Sequence, residues 1–228
     1  MKNQIKTIAF DADDTLWQNE EYFREAELKF SELVAAKNPD QVIQLLFEIE
    51  MKNLPMYGYG IKGFMLCMME TLHQLYPENL SSKLIEGAFK IGHDLLQKPV
   101  ILLYGIEETL SHLFGKYRLV MATKGDLLDQ ERKLEKSGLA KYFHHIEIMS
   151  DKKPANYQKL IKHVDCKPEN FLMVGNSLKS DILPVLAING FAVEVPYHTT
   201  WQHEIHDDPI DHPNFYSVNS MDQIIHLL

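Results

Sequence analysis

Three carboxylates crowd the end of a short apolar run: Phe10-Asp11-Ala12-Asp13-Asp14, followed by Thr15. Core packing gives no reason for acids there. Ile5, Ile8, Ala9 and Phe10, with Thr7 among them, have the length and composition of a buried parallel strand. Asp11 and Asp13 then fall at its C-terminal end and point the same way, because side chains two apart in extended chain share a face. In an open α/β sheet that edge is where ligands bind. Carboxylates held side by side repel, and one takes up a proton unless a cation neutralises the pair. A hard divalent ion, Mg2+, is the simplest resident. The alternative for the same residues is a turn in which Asp13 and Asp14 cap the following helix.

What must position these acids is legible in the periodicity. After Trp17 the pattern becomes helical: a first helix from about Glu20 to Lys37, a second from Pro39 to Lys52, a break over Asn53 to Gly60, a Met-rich helix from Ile61 to Tyr76 and a fourth from Ser82 to Gln97. Four helices in succession predict a small bundle. From Gly105 onward apolar runs (Arg118 to Ala122, Ile146 to Met149, Phe171 to Val174, Phe191 to Val195) alternate with helical patterns (Ile106 to Phe114, Leu127 to Lys136, Asn156 to Val164, Asp181 to Ile188). This is the α/β class: a Rossmann-like, mainly parallel sheet with helices on both faces. The first strand precedes the bundle and the others follow it. The expected organisation is therefore an α/β core domain of residues 1–17 and 99–228, interrupted by a small α-helical cap domain of residues 18–98.

Three later strands also end in polar residues. Leu119 to Ala122 runs into Thr123-Lys124-Gly125, where a hydroxyl and turn N–H groups can hold phosphate oxygens; a helix cap by Thr123 or Asp126 is the plainer reading. After Ile148-Met149 come Lys152 and Lys153 of Ser150-Asp151-Lys152-Lys153-Pro154, either a charge-neutralising lysine or a solvated basic pair. Phe171 to Val174 leads into Gly175-Asn176-Ser177-Leu178-Lys179-Ser180-Asp181, where Asn176 and Asp181 can complete a Mg2+ shell, or Ser180 or Asp181 can cap a helix start. Each segment has an ordinary explanation alone. A parallel sheet brings all of them to one edge.

On these motifs, taken in order, the chain resembles the haloacid dehalogenase-like hydrolase superfamily, with Asp11 to Thr15 as the first motif, Thr123 the second, Lys152 or Lys153 the third, and Gly175-Asn176-Ser177 with Asp181 the fourth. The helical insertion looks like that family's mobile cap. The resemblance implies phosphomonoester hydrolysis through an aspartyl-phosphate: Asp11 as nucleophile, Asp13 as acid and then base, and Mg2+ held by Asp11, the Asp13 carbonyl and Asp181. Thr123 and the lysine would orient and neutralise the phosphoryl group. Asn176 stands where many members have a second acid, which weakens that metal contact. The count back from Tyr157 favours Lys152, while the pairing with Pro154 favours Lys153. Tyr57 and Tyr59, between the glycines of Pro55-Met56-Tyr57-Gly58-Tyr59-Gly60, are either bundle padding or contacts for the non-phosphate part of the substrate.

Two other members' chemistries compete. A C–halogen hydrolase uses an aspartate nucleophile without Mg2+ or a second acid, which Asp13 argues against; a phosphomutase differs in how well water is excluded. A catalytically silent binding protein on the same scaffold has no use for Asp11, Asp13, a lysine and Asp181 together.

Composition narrows the partners. With 23 basic and 32 acidic residues and a formal charge of -9, the 228-residue chain has no basic surface for nucleic acid or anionic membrane. The densest apolar stretch, Phe64 to Met69, is far too short to span a bilayer, and Lys2 and Lys6 are followed by Asp11 before any signal-type region forms. Cys67 and Cys166 stand in no metal or disulfide spacing and read as reduced thiols. The expectation is a cytoplasmic protein, a monomer or weak homo-oligomer, acting on a small phosphorylated metabolite. The tail after Pro196, polar and rich in His and Pro, shows no clear organisation; within it His198, His203, His206 and His212 with Asp207, Asp208 and Asp211 read as a solvated loop rather than a metal cluster.

Overall fold

The apolar runs become strands whose alternate residues face opposite ways, so both faces of the sheet need cover. In the computed structural model, which describes residues 4–34 and 38–228, six parallel strands form one sheet in the order β3-β2-β1-β4-β5-β6. The strands are β1 (Thr7–Phe10), β2 (Arg118–Lys124), β3 (His145–Met149), β4 (Phe171–Gly175), β5 (Phe191–Glu194) and β6 (Phe215–Ser217). Between β1 and β2 come helices α1 (Glu20–Leu33), α2 (Pro39–Tyr57), α3 (Ile61–Leu75), α4 (Ser82–Leu96) and α5 (Ile106–Leu113). The later helices are α6 (Leu127–Ser137), α7 (Pro154–His163), α8 (Leu183–Leu186) and α9 (Ile224–Leu227). Among the described residues no helix is long and apolar enough to cross a membrane. Lys2 and the expected end of the first helix at Lys37 lie outside the described residues; within them α1 ends at Leu33.

Two compact units emerge. One comprises residues 1–20, 100–124 and 130–228; the other comprises residues 21–99 and 125–129. In the first, Ile8, Phe10, Leu119, Met121, Leu172 and Val174 face a core shared with Leu110 of α5, Leu134 of α6 and Ile224 of α9. Ala9, Val120, Ala122 and Met173 face the opposite core with Tyr157, Leu160 and Ile161 of α7 and Val185 of α8. The second unit holds α1 to α4, packed around Phe30, Leu46, Phe64, Met68 and Leu72.

Register places the chemistry. Phe10 pairs with Met121 of β2 and Val174 of β4, and the Asp11 N–H donates to Val174 O at 2.9 Å. Asp11 therefore emerges from the centre of the sheet, where the chain's strand order reverses direction, the point at which open α/β sheets bind ligands.

Three expectations need correction. The second helix does not break at Asn53 but runs to Tyr57 with Pro55 inside it. The bond that Pro55 cannot make falls in the last turns, while Asn53 and Ile49 are buried; the stop comes at Gly58, whose φ of 71° suits glycine alone. The strand β2 runs through Thr123 and Lys124, which pair with Ile148 and Met149, instead of turning there. Asp181 does not open a long α-helix: it lies in a π-helical turn, Leu178–Ile182, before the short α8. The tail after Pro196, whose organisation the periodicity left open, runs from His198 to His212 with only a 3-10 turn and then supplies β6 and α9, burying Val218, Met221 and Ile224.

Candidate active site

Asp11 continues the parity of Ala9, toward the face covered by α7 and α8. Its partners come from that side. Lys152, in the loop between β3 and α7, places its ammonium 2.5 Å from Asp11 Oδ1 and 2.6 Å from Asp181 Oδ1. The three side chains are buried, Lys152 being 3% exposed and Asp181 fully enclosed. Burial works to lower the Lys152 pKa, but the attraction of Asp11 and Asp181 outweighs it and holds the ammonium charged. One ammonium cannot balance two carboxylates. In the metal-free protein burial pushes the Asp11 pKa up to about 7, against the pull of Lys152 and with Asp181 adding to the rise.

The remaining oxygens have defined neighbours. Thr15 Oγ1 lies 3.2 Å from Asp11 Oδ2 and 3.1 Å from Asn176 Oδ1, and it accepts from the Asn176 N–H at 3.1 Å. Asp181 Oδ2 accepts from the Ser177 N–H at 3.1 Å. Gly175 is required here, because a Cβ on it would fall 2.2 Å from Asp181 Oδ2. Asp11 and Asp181 thus share one ammonium, and Asn176 is linked to Asp11 through Thr15, with a net charge that lacks one positive unit. The chemistry of that oxygen donor set fits a Mg2+ ion.

Asp13 is built differently. Its Oδ1 accepts from Trp17 Nε1 at 2.7 Å and lies 2.9 Å from the Lys133 ammonium; its Oδ2 accepts from Gln130 Nε2 at 2.8 Å. Gln130 and Lys133 sit three apart on α6, hence on one face of that helix. Gln130 Nε2 also lies 3.2 Å from Thr123 Oγ1 and 2.7 Å from Lys124 O, so one carboxamide ties the ends of β1 and β2 together. Asp14 takes the capping role: with φ at 62° it accepts through Oδ1 from the N–H groups of Asn19 at 2.8 Å and Glu20 at 3.0 Å, where α1 begins.

Of the residues singled out from the sequence, Asp11, Asp181, Lys152, Thr15 and Asn176 are joined in one network, while Asp13 and Thr123 are joined through Gln130. Lys153 lies apart: its side chain is 74% exposed and its ammonium pairs with Asp151 at 2.7 Å. The Lys124 ammonium lies 2.6 Å from Glu204 Oε1 and 2.9 Å from Ser180 Oγ. Within the helical unit, the Tyr57 hydroxyl at the end of α2 donates to Glu70 of α3. Tyr59 is half-buried.

Sequence reasoning missed Glu204, Gln130, Lys133 and Trp17. Glu204, from a 3-10 turn in the tail, accepts from Ser177 and Ser180 through Oε2 and pairs with Lys124. Burial works against its charge, yet Lys124 and the two serines pull its pKa down to about 2. It therefore clamps the turn that carries Asp181. No periodicity marks Glu204; the i, i+3 pair on α6 was a usable signal for Gln130 and Lys133.

The fold and this site together define a hydrolase class. A family model for haloacid dehalogenase-like hydrolases matches residues 5–188, and the chain belongs to that family, with its helical insertion between β1 and β2. Among solved structures, a haloacid dehalogenase-like family hydrolase from Xanthomonas campestris is 37% identical, covers 98% of this chain and 90% of its own, and superposes with a TM-score of 0.86. The HAD-hydrolase YfnB from Bacillus subtilis, solved bound to magnesium, shares 17% identity over 99% of both chains at a TM-score of 0.68. A 2-haloacid dehalogenase from Pseudomonas syringae pv. Tomato DC3000 shares 17% identity over 98% of this chain and 97% of its own at 0.65. At those identities the last two share the fold alone. Curated proteins yield no match.

Proposed function

We propose that this hydrolase cleaves a small-molecule phosphomonoester, with Mg2+, through an aspartyl-phosphate on Asp11. The observation that carries the reading is the pairing of two buried carboxylates, Asp11 and Asp181, with one buried ammonium, beside a second aspartate held on separate donors. A C–halogen hydrolase needs one carboxylate nucleophile. It needs no second aspartate as acid, the role open to Asp13.

In the proposed reaction Asp11 attacks phosphorus as the bond to the ester oxygen breaks, and Asp13 gives its proton to that leaving oxygen. The Asp13 carboxylate then takes a proton from water, which attacks the same phosphorus and releases Asp11 and phosphate. Lys152 and the Thr123 hydroxyl offset and orient the phosphoryl charge. Asp11, Asp181 and Asn176, with the Asp13 carbonyl, would hold Mg2+, which would supply electrostatic neutralisation between an anionic substrate and a carboxylate nucleophile. Lys124 N–H and Tyr57 and Tyr59 are proposed contacts for substrate. The free thiols of Cys67 and Cys166 support a reducing, cytoplasmic setting.

The test is hydrolysis of a chromogenic phosphomonoester with Mg2+ and with chelator, followed by a panel of phosphorylated metabolites and, in parallel, halide release from 2-haloacids. Turnover that requires Mg2+ is the expected result. Metal-independent halide release without phosphatase turnover overturns the reading.

A further inference from the structure

His145 and Glu147 are two apart on β3, so their side chains share a face. That face is covered by α7, whose final residue is His163. The result is a cluster at the open end of a strand–loop–helix unit: Glu147 Oε2 accepts from His145 Nε2 at 2.7 Å and from His163 Nδ1 at 3.1 Å. One ligand atom from each residue lies within 4.8 Å of the others, and among the described residues this is the one group of three or more such side chains that close. None of the three takes part in the proposed chemistry. His145 lies at the N-terminal end of β3, Glu147 at its middle and His163 at the C-terminal end of α7, whereas Lys152 lies in the loop joining the other ends. That leaves about 13 Å of strand after His145 and about 7 Å after Glu147, and about 14 Å of helix before His163.

We infer that His145, Glu147 and His163 form a second metal site, for a borderline-soft divalent ion of the Zn2+ class, distinct from the Mg2+ centre. Two imidazoles and one carboxylate are the donor set of open zinc sites, with remaining positions left to solvent, whereas Mg2+ prefers oxygen donors and retains water. The geometry is close to ligation already. Ligand atoms about 2.0–2.2 Å from a tetrahedral ion stand roughly 3.3 Å apart, so the 2.7 and 3.1 Å contacts need to open by about 0.6 and 0.2 Å, with the two imidazole nitrogens already within 4.8 Å of each other. His163, on the exposed last turn of α7, can supply that movement. Each ring would carry its proton on the nitrogen not facing Glu147, leaving a lone pair for the ion. An occupied site would tie the edge strand β3 to α7 and so brace the unit whose opposite end presents Lys152.

The test uses the untagged full chain with excess Mg2+ present, so that the oxygen-donor centre is filled, and titrates Zn2+ alone by calorimetry alongside thermal unfolding. One Zn2+ site is expected, with a Tm raised by Zn2+. His163→Ala and His145→Gln should each weaken that site by at least about tenfold, the loss that follows even removal of a group supporting a ligand, and should abolish the Tm rise. Their Mg2+-dependent turnover without Zn2+ should stay within twofold of the parent, which shows that the variants fold. Absence of Zn2+ binding, or binding in both variants as strong as in the parent, for instance through the histidines of the tail, overturns the inference.

Discussion

The Lys152 ammonium meets Asp11 Oδ1 at 2.5 Å and holds Asp181 on its other side at 2.6 Å, while the adjacent Lys153 points to solvent. Neighbouring lysines thus occupy opposite environments, and their substitutions should separate cleanly. Lys152→Ala is expected to lower kcat/KM by about 10²–10³-fold, the loss typical of removing one charge-stabilising group from a site. It should also destabilise the metal-free fold by about 3 kcal/mol, because two buried carboxylates lose their counter-ion. Lys153→Ala is expected to change stability by less than about 0.5 kcal/mol and activity hardly at all. Steady-state kinetics and chemical denaturation read both effects; equal losses from the two variants would contradict the assignment of Lys152.

Mg2+ affinity should depend on pH through Asp11. Its ordinary carboxyl value of 3.8 is raised to about 7 in the metal-free protein, so a proton competes with the ion. Raising the pH from 6 to 8 takes the deprotonated fraction from about 9% to about 91% and should tighten Mg2+ binding about tenfold, with proton release at the lower pH. Stability of the metal-free fold runs the other way. The raised carboxyl favours the metal-free fold below about pH 4, and that contribution is lost as pH rises through about 7, where Mg2+ takes its place. Calorimetric titration at the two pH values reads this, and equal affinities would exclude Asp11 as the competing group.

Glu204 gives the opposite dependence. With its pKa drawn down to about 2, it stabilises the fold above about pH 4.5 and loses that contribution as pH falls from there toward 2. Glu204→Gln is expected to lower stability at pH 7 by about 3 kcal/mol, given roughly 1.4 kcal/mol per pKa unit, and to flatten the acid limb of the stability curve between pH 4.5 and 2. Denaturant melts across that range test it; parallel curves for parent and variant would remove Glu204 from the clamp.

Gln130 should matter without touching the substrate's phosphorus. Its carboxamide bonds Asp13, Thr123 and the Lys124 carbonyl at once. Gln130→Ala is expected to cost about 1–3 kcal/mol of stability, the range for leaving a buried polar partner unsatisfied, and to lower kcat more than it raises KM. A change in KM alone would mean that Gln130 does not position Asp13.

Much of this site was legible because buried parallel strands are continuous apolar runs that end abruptly in polar residues. Asp11, Thr123 and Asn176 stand at three such ends, and strand order alone brings them together. The same rule cannot see Glu204. It is carried by a segment with neither helical nor strand period, and it reaches the β4 turn only because β6, a strand of three residues, returns the tail to the sheet. Gln130 and Lys133 carry a signal only in their i, i+3 spacing, because polar residues on a helix read as solvent-facing, whereas here they face the end of β1. Pro55 misled for a related reason, since a local preference to stop a helix was outweighed by burial of neighbouring residues in the bundle.

The proposed covalent chemistry is tested most directly by trapping the phosphorylated enzyme. Asp13→Asn, which retains the nucleophile but lacks the base that activates water, is mixed with a phosphomonoester and Mg2+, quenched in acid, digested and analysed by mass spectrometry. One added phosphoryl group is expected on the peptide carrying Asp11, placed on Asp11 itself and absent when Asp11→Asn is combined with Asp13→Asn. No modified peptide, together with phosphatase turnover that survives in Asp11→Asn, would contradict Asp11 as the nucleophile.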